Sequence, residues 1–381
     1  MPAHATTDPG TDATSAHQPP VCAGCGGLMR FEPRSGALAC VACGGQTVLP
    51  EGGTVAREAA LAEQDYEAAL EQRAGNEPAI EPQVVTCPQC GAHTHFDPNV
   101  MASTCAFCTA PLSSVQAQAE RLIRPQAVLP FRLDDAAARL AFQRWIDSRW
   151  FAPNALRQAV RAPEGLRGAY LPAWSFDART DTAYAGDRGT HRVEVSARTD
   201  AQGRVVTERR TVTDWERVRG EVRHDFDDVI VAASNSLPAS RDQVLGEVPV
   251  ALLQPYDPAL LAGFTVEAYQ LGLRPAFATA REHFMLPVLR EAVRRDIGGD
   301  EQRIVQMSPR FSEVRFRHLL LPVWLVHYRW QGERCQVVVN GHSGAVMGER
   351  PWSAWKIGSA VVLGLLAVAL ATWWSGLGQS F

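Results

Sequence analysis

CAGCGGLMRFEPRSGALACVAC (22–43) and CPQCGAHTHFDPNVMASTCAFC (87–108) decide how this chain is read. Each stretch opens and closes with Cys-x-x-Cys, and fourteen residues separate the two pairs in both. Every cysteine of the second stretch lies 65 positions after its counterpart, and Gly26, Phe31 and Pro33 recur as Gly91, Phe96 and Pro98. One small module is therefore present twice. The spacing suits Zn2+ held in a tetrahedron of four thiolates. Two residues between paired cysteines let a tight turn aim both sulfurs at one ion, and the glycine that follows supplies a positive φ. The spacer fits a short β-hairpin that returns the second pair to the first. A module of about 25 residues cannot bury an adequate core, so the metal would supply the folding energy. The expected ligands are Cys22, Cys25, Cys40 and Cys43 for one structural zinc ion, and Cys87, Cys90, Cys105 and Cys108 for the other.

Other uses of the cysteines are weighed against this one. A thioredoxin-like redox pair needs a βαβ setting, which the flanking sequence lacks. Rubredoxin-like iron in the same cage stays open on spacing alone. Four thiolates leave no open coordination position, which argues against catalytic zinc. His93 and His95, beside the second module, read as surface or packing residues. Cys335, in the apolar RCQVVVNG, reads as a buried small hydrophobe. Residues 1–20 lack the apolar run of a signal peptide, and without a secretion signal paired cysteines favour metal over disulfides.

Working outward, the sequence divides into a disordered arm (1–20), a zinc ribbon (21–47), a linker with a helix (48–84), a second ribbon (85–113), an α+β domain (114–350) and a transmembrane tail (351–381). The linker helix is read over 54–75, rich in Ala, Glu, Gln and Leu and stopped at Gly75. The chain carries a formal charge of −4, yet residues 1–120 hold four Arg, no Lys and thirteen Asp or Glu, a local charge of −9. Phosphate contact needs Lys and Arg. The second module has neither between Cys87 and Cys108, so nucleic acid is disfavoured as a partner.

In the α+β region, Asp134 caps a helix that runs to Trp150. Strand-like pieces follow: GAYLPAWSFDA, then HRVEVSA and GRVVTERRTVT joined by a turn over 199–203, and DDVIVAAS. A second helix, Pro275 to Ile297, is interrupted at Pro287 and stopped by Gly298-Gly299. RIVQM, HLLLPVWLVHYRW and CQVVVNG read as further strands. Leu171-Pro172-Ala173-Trp174 and Leu321-Pro322-Val323-Trp324 match, each after a helix, which suggests a duplicated helix-plus-hairpin module. Their Trp and Pro residues read as core rather than as the lining of a ligand groove. Asp227-Asp228 reads as a solvated pair at a strand start.

Residues 357–374 run without a charge and have Trp352 and Trp355 on one side and Trp373 and Trp374 at the other end. Eighteen residues make about 27 Å of helix, near the minimum for a bilayer. Arg350 and Lys356, the only Lys of the chain, stand on the N-terminal side. The positive-inside rule then places the protein in the inner (cytoplasmic) membrane as a single-pass, tail-anchored chain with its N-terminal bulk in the cytoplasm.

No phosphate-binding loop, H-E-x-x-H or H-x-E deaminase motif is present, and Gly341-His342-Ser343-Gly344 is followed by Ala345 where a nucleophile elbow needs Gly. No enzyme is expected. The cysteine pairs, together with LPFRLD (129–134), RGAYLPAWSFDA (167–178), the stretch from Trp215 through DDVIVAAS, and 321–353, resemble bacterial membrane-bound zinc-ribbon proteins. These are often labelled TFIIB-type zinc-ribbon proteins or relatives of the primosomal replication helicase. The resemblance implies an anchored cytoplasmic protein without an established activity, with membrane-scaffold or envelope-stress proteins as partners. A non-enzymatic adaptor at the membrane face is the leading expectation; a nucleic-acid-binding ribbon protein and an enzyme with an unfamiliar site are the alternatives.

Overall fold

A computed structural model describes residues 20–49, 57–58, 61–72, 79–96, 102–149, 165–199, 205–236, 245, 248–330, 333–348 and 354–377. The expected disordered arm falls almost wholly outside the described residues, as does most of the turn over 199–203. Of the described residues 48% are in strands and 26% in helices, so the α+β expectation is corrected to a mainly β architecture.

In chain order, β1 (Met29–Glu32), β2 (Ala37–Cys40) and β3 (Gln46–Val48) form the first ribbon. β4 (Gln64–Asp65) leads into helix α1 (Tyr66–Gln72). The helix expected over 54–75 is interrupted: residues 57, 58 and 61 are helical, but 64–65 pair as a strand and the Asp65 carboxylate starts α1 by accepting from Ala68 N–H at 2.8 Å, while the expected stop at Gly75 lies outside the described residues. β5 (Gln83–Thr86), β6 (His93–His95), β7 (Ala102–Thr104) and β8 (Pro111–Ser113) build the second ribbon. After β9 (Ala127–Val128) comes α2 (Asp135–Asp147), capped by Asp134 as expected, whose carboxylate accepts from Ala137 N–H at 2.8 Å.

The segments read as separate short strands are three very long ones: β10 (Gly165–Thr199), β11 (Val205–Ala232) and β12 (Glu301–Trp330). They form one antiparallel sheet in the order β11-β10-β12. β10 alone would extend roughly 110 Å at about 3.3 Å per residue. The sequence hid this continuity because the polar stretches between the apolar pieces project beyond the core. There the ladder is flanked by cross-strand ion pairs such as Arg223–Asp181 at 2.9 Å and Arg217–Asp187 at 2.6 Å instead of buried apolar residues. Between β11 and β12 lie α3 (Leu273–Thr279), a π-turn (Ala280–Met285) and α4 (Leu286–Ile297). Pro287 sits in the first turn of α4, where its missing N–H is tolerated, and the π-turn absorbs the interruption. α4 lays Val293 and Ile297 on Tyr184, at the root of the projecting arm. β13 (Glu333–Asn340) and β14 (Val346–Gly348) complete the sheet beside the last third of β12.

The core end of β10 and β12 is buried on both faces, with Tyr170, Leu171, Trp174 and Phe176 at 0% exposure. The two Leu-Pro-x-Trp stretches lie opposite one another, with Leu171 paired to Leu321. The duplicated helix-plus-hairpin module is not carried by the architecture, since the strands after the two matches differ greatly in length. Both tryptophans are core residues: Trp174 Nε1–H donates to Leu271 O at 2.8 Å and Trp324 Nε1–H to Leu133 O at 2.9 Å.

The last helix, α5 (Ala354–Leu377), occupies the expected anchor. Its described side chains, over 355–371, are exposed except for Lys356. Among the described residues no helix is long and apolar enough to cross a membrane. The transmembrane helix at 357–374 and the single-pass inner-membrane placement are corrected accordingly.

Trp324→Ala is expected to destabilise the fold by about 3–5 kcal/mol, while Trp324→Phe should cost about 1–3 kcal/mol because Leu133 O loses its donor. Denaturant unfolding of the two variants, followed by fluorescence or circular dichroism, measures both.

Candidate metal centres

Four short turns aim the eight cysteines. In each, a backbone N–H just past a Cys-x-x-Cys pair closes back on the first cysteine's carbonyl: Gly26 on Cys22, Gly44 on Cys40, Gly91 on Cys87 and Thr109 on Cys105, at 2.8–3.0 Å. The residue that closes the turn has positive φ every time, 71° at Gly26, 72° at Gly44, 74° at Gly91 and 63° at Thr109. The sequence reading had marked Gly26 and Gly91. It missed Gly44, which had the same signal, and Thr109, which had none because a threonine occupies the glycine position.

The turns bring the expected cysteines together in two sets, and in each the four Sγ atoms lie within 4.8 Å of one another. The close pairs are Cys22–Cys43 at 3.8 Å and Cys25–Cys40 at 3.5 Å in the first, and Cys87–Cys108 at 3.5 Å and Cys90–Cys105 at 3.7 Å in the second. A tetrahedron with Zn–S bonds of about 2.3 Å has edges of about 3.8 Å, so these separations suit a four-thiolate zinc cage. They are far from the bond of about 2.05 Å in a disulfide, and all nine cysteines are free of one. The eight residues named from spacing are thus the ones the fold gathers, and each set can hold one zinc ion.

The local electrostatics suit a cation. Backbone N–H groups of Cys43 and Ala42 point at the Cys40 sulfur and bring its thiol down to about 6. Those of Gly24 and Cys25 lower Cys22 in the same way. Burial does the opposite at Cys105, pushing it up to about 12. Without a cation the four sulfurs of a set cannot all ionise; a dication at their centre reverses that balance.

Each ribbon is built into the sheet's core. In the first, Met29, Phe31 and Leu38 join Phe131, Leu260 and Leu261, and Phe31 N–H donates to Ala262 O at 2.9 Å. In the second, Phe107 packs among Leu325 and Val338, and His327 Nε2–H donates to Phe107 O at 2.9 Å. The two sites differ in shielding. Cys25 and Cys43 are exposed in the first; in the second Cys90 is exposed and Cys108 partly shielded, and its inner pair, Cys87 and Cys105, is more deeply buried than Cys22 and Cys40.

A cluster the sequence reading did not foresee lies where the long strands leave the core. Carboxylate oxygens of Glu63, Asp177 and Asp227 lie within 4.8 Å of one another. Asp228, at φ 52°, donates its N–H to Asp177 Oδ1 at 2.8 Å and accepts from Ser175 Oγ at 2.7 Å. The buried Arg317 guanidinium reaches Glu63 at 2.5 Å and Asp228 at 3.2 Å. The pairing register slips at Phe176/Ala178 and at Asp177/Arg179, so a β-bulge turns Asp177 out of the alternation a sequence reading assumes.

In a chelator challenge, zinc is expected to leave in two phases, the exposed first site before the second. Cys22→Ser should abolish the fast phase and keep the slow one, and Cys105→Ser the reverse, read with a colorimetric zinc indicator on the full chain.

No family model matches the chain, and no solved structure matches it. It is 24% identical over 256 residues to the uncharacterized protein YdjG of Bacillus subtilis (strain 168), an alignment that covers 67% of this chain and 68% of that protein.

Proposed function

We propose that this chain is a non-enzymatic, zinc-stabilised binding protein whose projecting arm engages a protein partner. The observation that carries the reading is the end of the arm. Past Glu301 the third strand is gone, and β10 and β11 continue as a two-stranded ribbon over 190–199 and 205–214. Its two faces differ. One presents Val193, Val195 and Ala197 with Thr211, Arg209 and Thr207 opposite, and Val193 and Val195 are 59% and 62% exposed. The other carries the ion pairs, with Arg192 on Asp214 and Glu194 at 2.9 Å each and Glu194 paired across to Arg210. A two-stranded ribbon is marginal alone in water, and an uncovered β-branched face is the kind of surface that a protein partner covers.

The closed four-cysteine sites support a structural rather than a catalytic use of metal, because a full thiolate shell leaves no position for substrate. The acidic N-terminal third, at −9 over residues 1–120, weighs against nucleic acid.

The test is crosslinking and affinity capture with the full chain and with a variant in which 190–214 is replaced by a short turn. The shortened arm is expected to lose the partner while keeping both zinc ions and an unchanged unfolding midpoint. Retention of every partner by that variant would remove the arm from the function. Clear binding of DNA or RNA by the full chain in a low-salt gel shift would reverse the choice of partner.

A further inference from the structure

Between the two ribbons, the chain crosses the sheet at the carboxylate cluster. β4 pairs Asp65 with Arg315 and Gln64 with Phe316 of β12. The next residue, Tyr66, closes over an aromatic group, with its ring 4.7 Å from Phe277 and 6.4 Å from Phe176. One residue before β4, Glu63 enters the cluster. Its attachment is a balance of charge. Four carboxylates (Glu63 from the linker, Asp177 from β10, Asp227 and Asp228 from β11) face one buried guanidinium, Arg317 of β12. The neighbouring cations are Arg315, exposed and opposite both Asp177 and Asp65 in the strand pairing, and Arg179, which is already paired with Glu313 at 2.7 Å. One buried guanidinium, with Arg315 out in solvent, does not balance four ionised carboxylates gathered in a half-buried place.

We propose that β4 and α1 form a proton-dependent latch: a proton on Asp177, directed at Glu63, holds the segment down over the aromatic group, and loss of that proton releases it. The proton has a defined place. Burial, then the hydrogen bond with Glu63, pushes Asp177 up to about 7. The Asp228 N–H on Oδ1 opposes the rise. The bond is the Asp177 carboxylic acid O–H donated to the Glu63 carboxylate, and no other atom changes partner. The sign follows. Asp177 holds its proton more tightly latched than free, so the latched state is favoured at low pH and loses its advantage as pH rises through about 7. What release would uncover is apolar: Tyr66 and Ala69 are buried beside Phe176 and Phe277.

The test is hydrogen exchange on the full, zinc-loaded chain at pH about 6 and about 8.5, with rates divided by the intrinsic rate at each pH. Exchange over 64–72 is expected to be roughly three- to tenfold faster at the higher pH, the lower figure allowing for solvent screening of a half-exposed cluster. Asp177→Asn should hold the segment down at both values and bring that ratio to about one. Glu63→Gln, which keeps a donor for Asp177, should do the same, so one poorly folding variant does not decide the matter. A ratio near one in the wild type, or an unchanged ratio in both variants, would overturn the latch. So would recovery of protection at the higher pH on adding millimolar Mg2+, since a cation rather than a proton would then be balancing the cluster.

Discussion

The ladder between β10 and β12 is the interaction on which everything else hangs. It runs from Gly165 opposite His327 to Gly189 opposite Glu301, with slips only at two bulges. At one end its strands are buried on both faces and supply the floor against which both ribbons pack. At the other end the same strands leave the core and become the arm. A strand buried on both faces must be apolar throughout, and a strand in water need not be. The change of composition along β10, from AYLPAWSF to the charged DARTDTAYAGDRGTHR, marks that passage from core to solvent.

The ribbons relate to this ladder through small contacts of high specificity. Each has its own tetrahedral sulfur cage, and each also contributes aromatic and aliphatic side chains to a larger core: Phe31 in the first, Phe107 in the second. Cysteine cluster and sheet therefore support one another. The thiolate cage fixes the hairpins that present those side chains, and the sheet surrounds sulfurs that a free module of this size would leave open to water. The unequal shielding of the two cages follows from this, since Cys87 and Cys105 stand at 1% and 0% exposure inside the second cluster.

The two four-cysteine clusters were the most legible part of the sequence, because four thiols at fixed spacing specify a geometry with little help from the rest of the fold. Helix α2 was legible for a similar reason: Asp134, Phe142 and Ile146 are local signals. The long strands were not. Period-two apolar alternation reports one buried face, and the arm beyond Phe176 owes its extended form to ladder hydrogen bonds and cross-strand ion pairs such as Arg223–Asp181. The carboxylate cluster was hidden more deeply still. Glu63, Asp177 and Asp228 are far apart in sequence, and Asp177 is re-aimed by a bulge that no local pattern announces. The tail misled through composition: an uncharged run flanked by tryptophans fits a bilayer span, and the described helix there does not meet the length and apolarity of one.

The strand β12 touches the second ribbon through His327, the linker through Arg317 and the first ribbon's core through Trp324, while its other end forms the root of the arm. This gives the molecule a mechanical character. A pull along the arm loads the β10–β12 hydrogen bonds in shear, all at once, instead of peeling them singly as a pull across the sheet would. The arm is therefore stiff along its length and compliant sideways. Tension taken up at its tip passes along β10 and through that ladder into β12, and so reaches both cysteine cages and the segment between them.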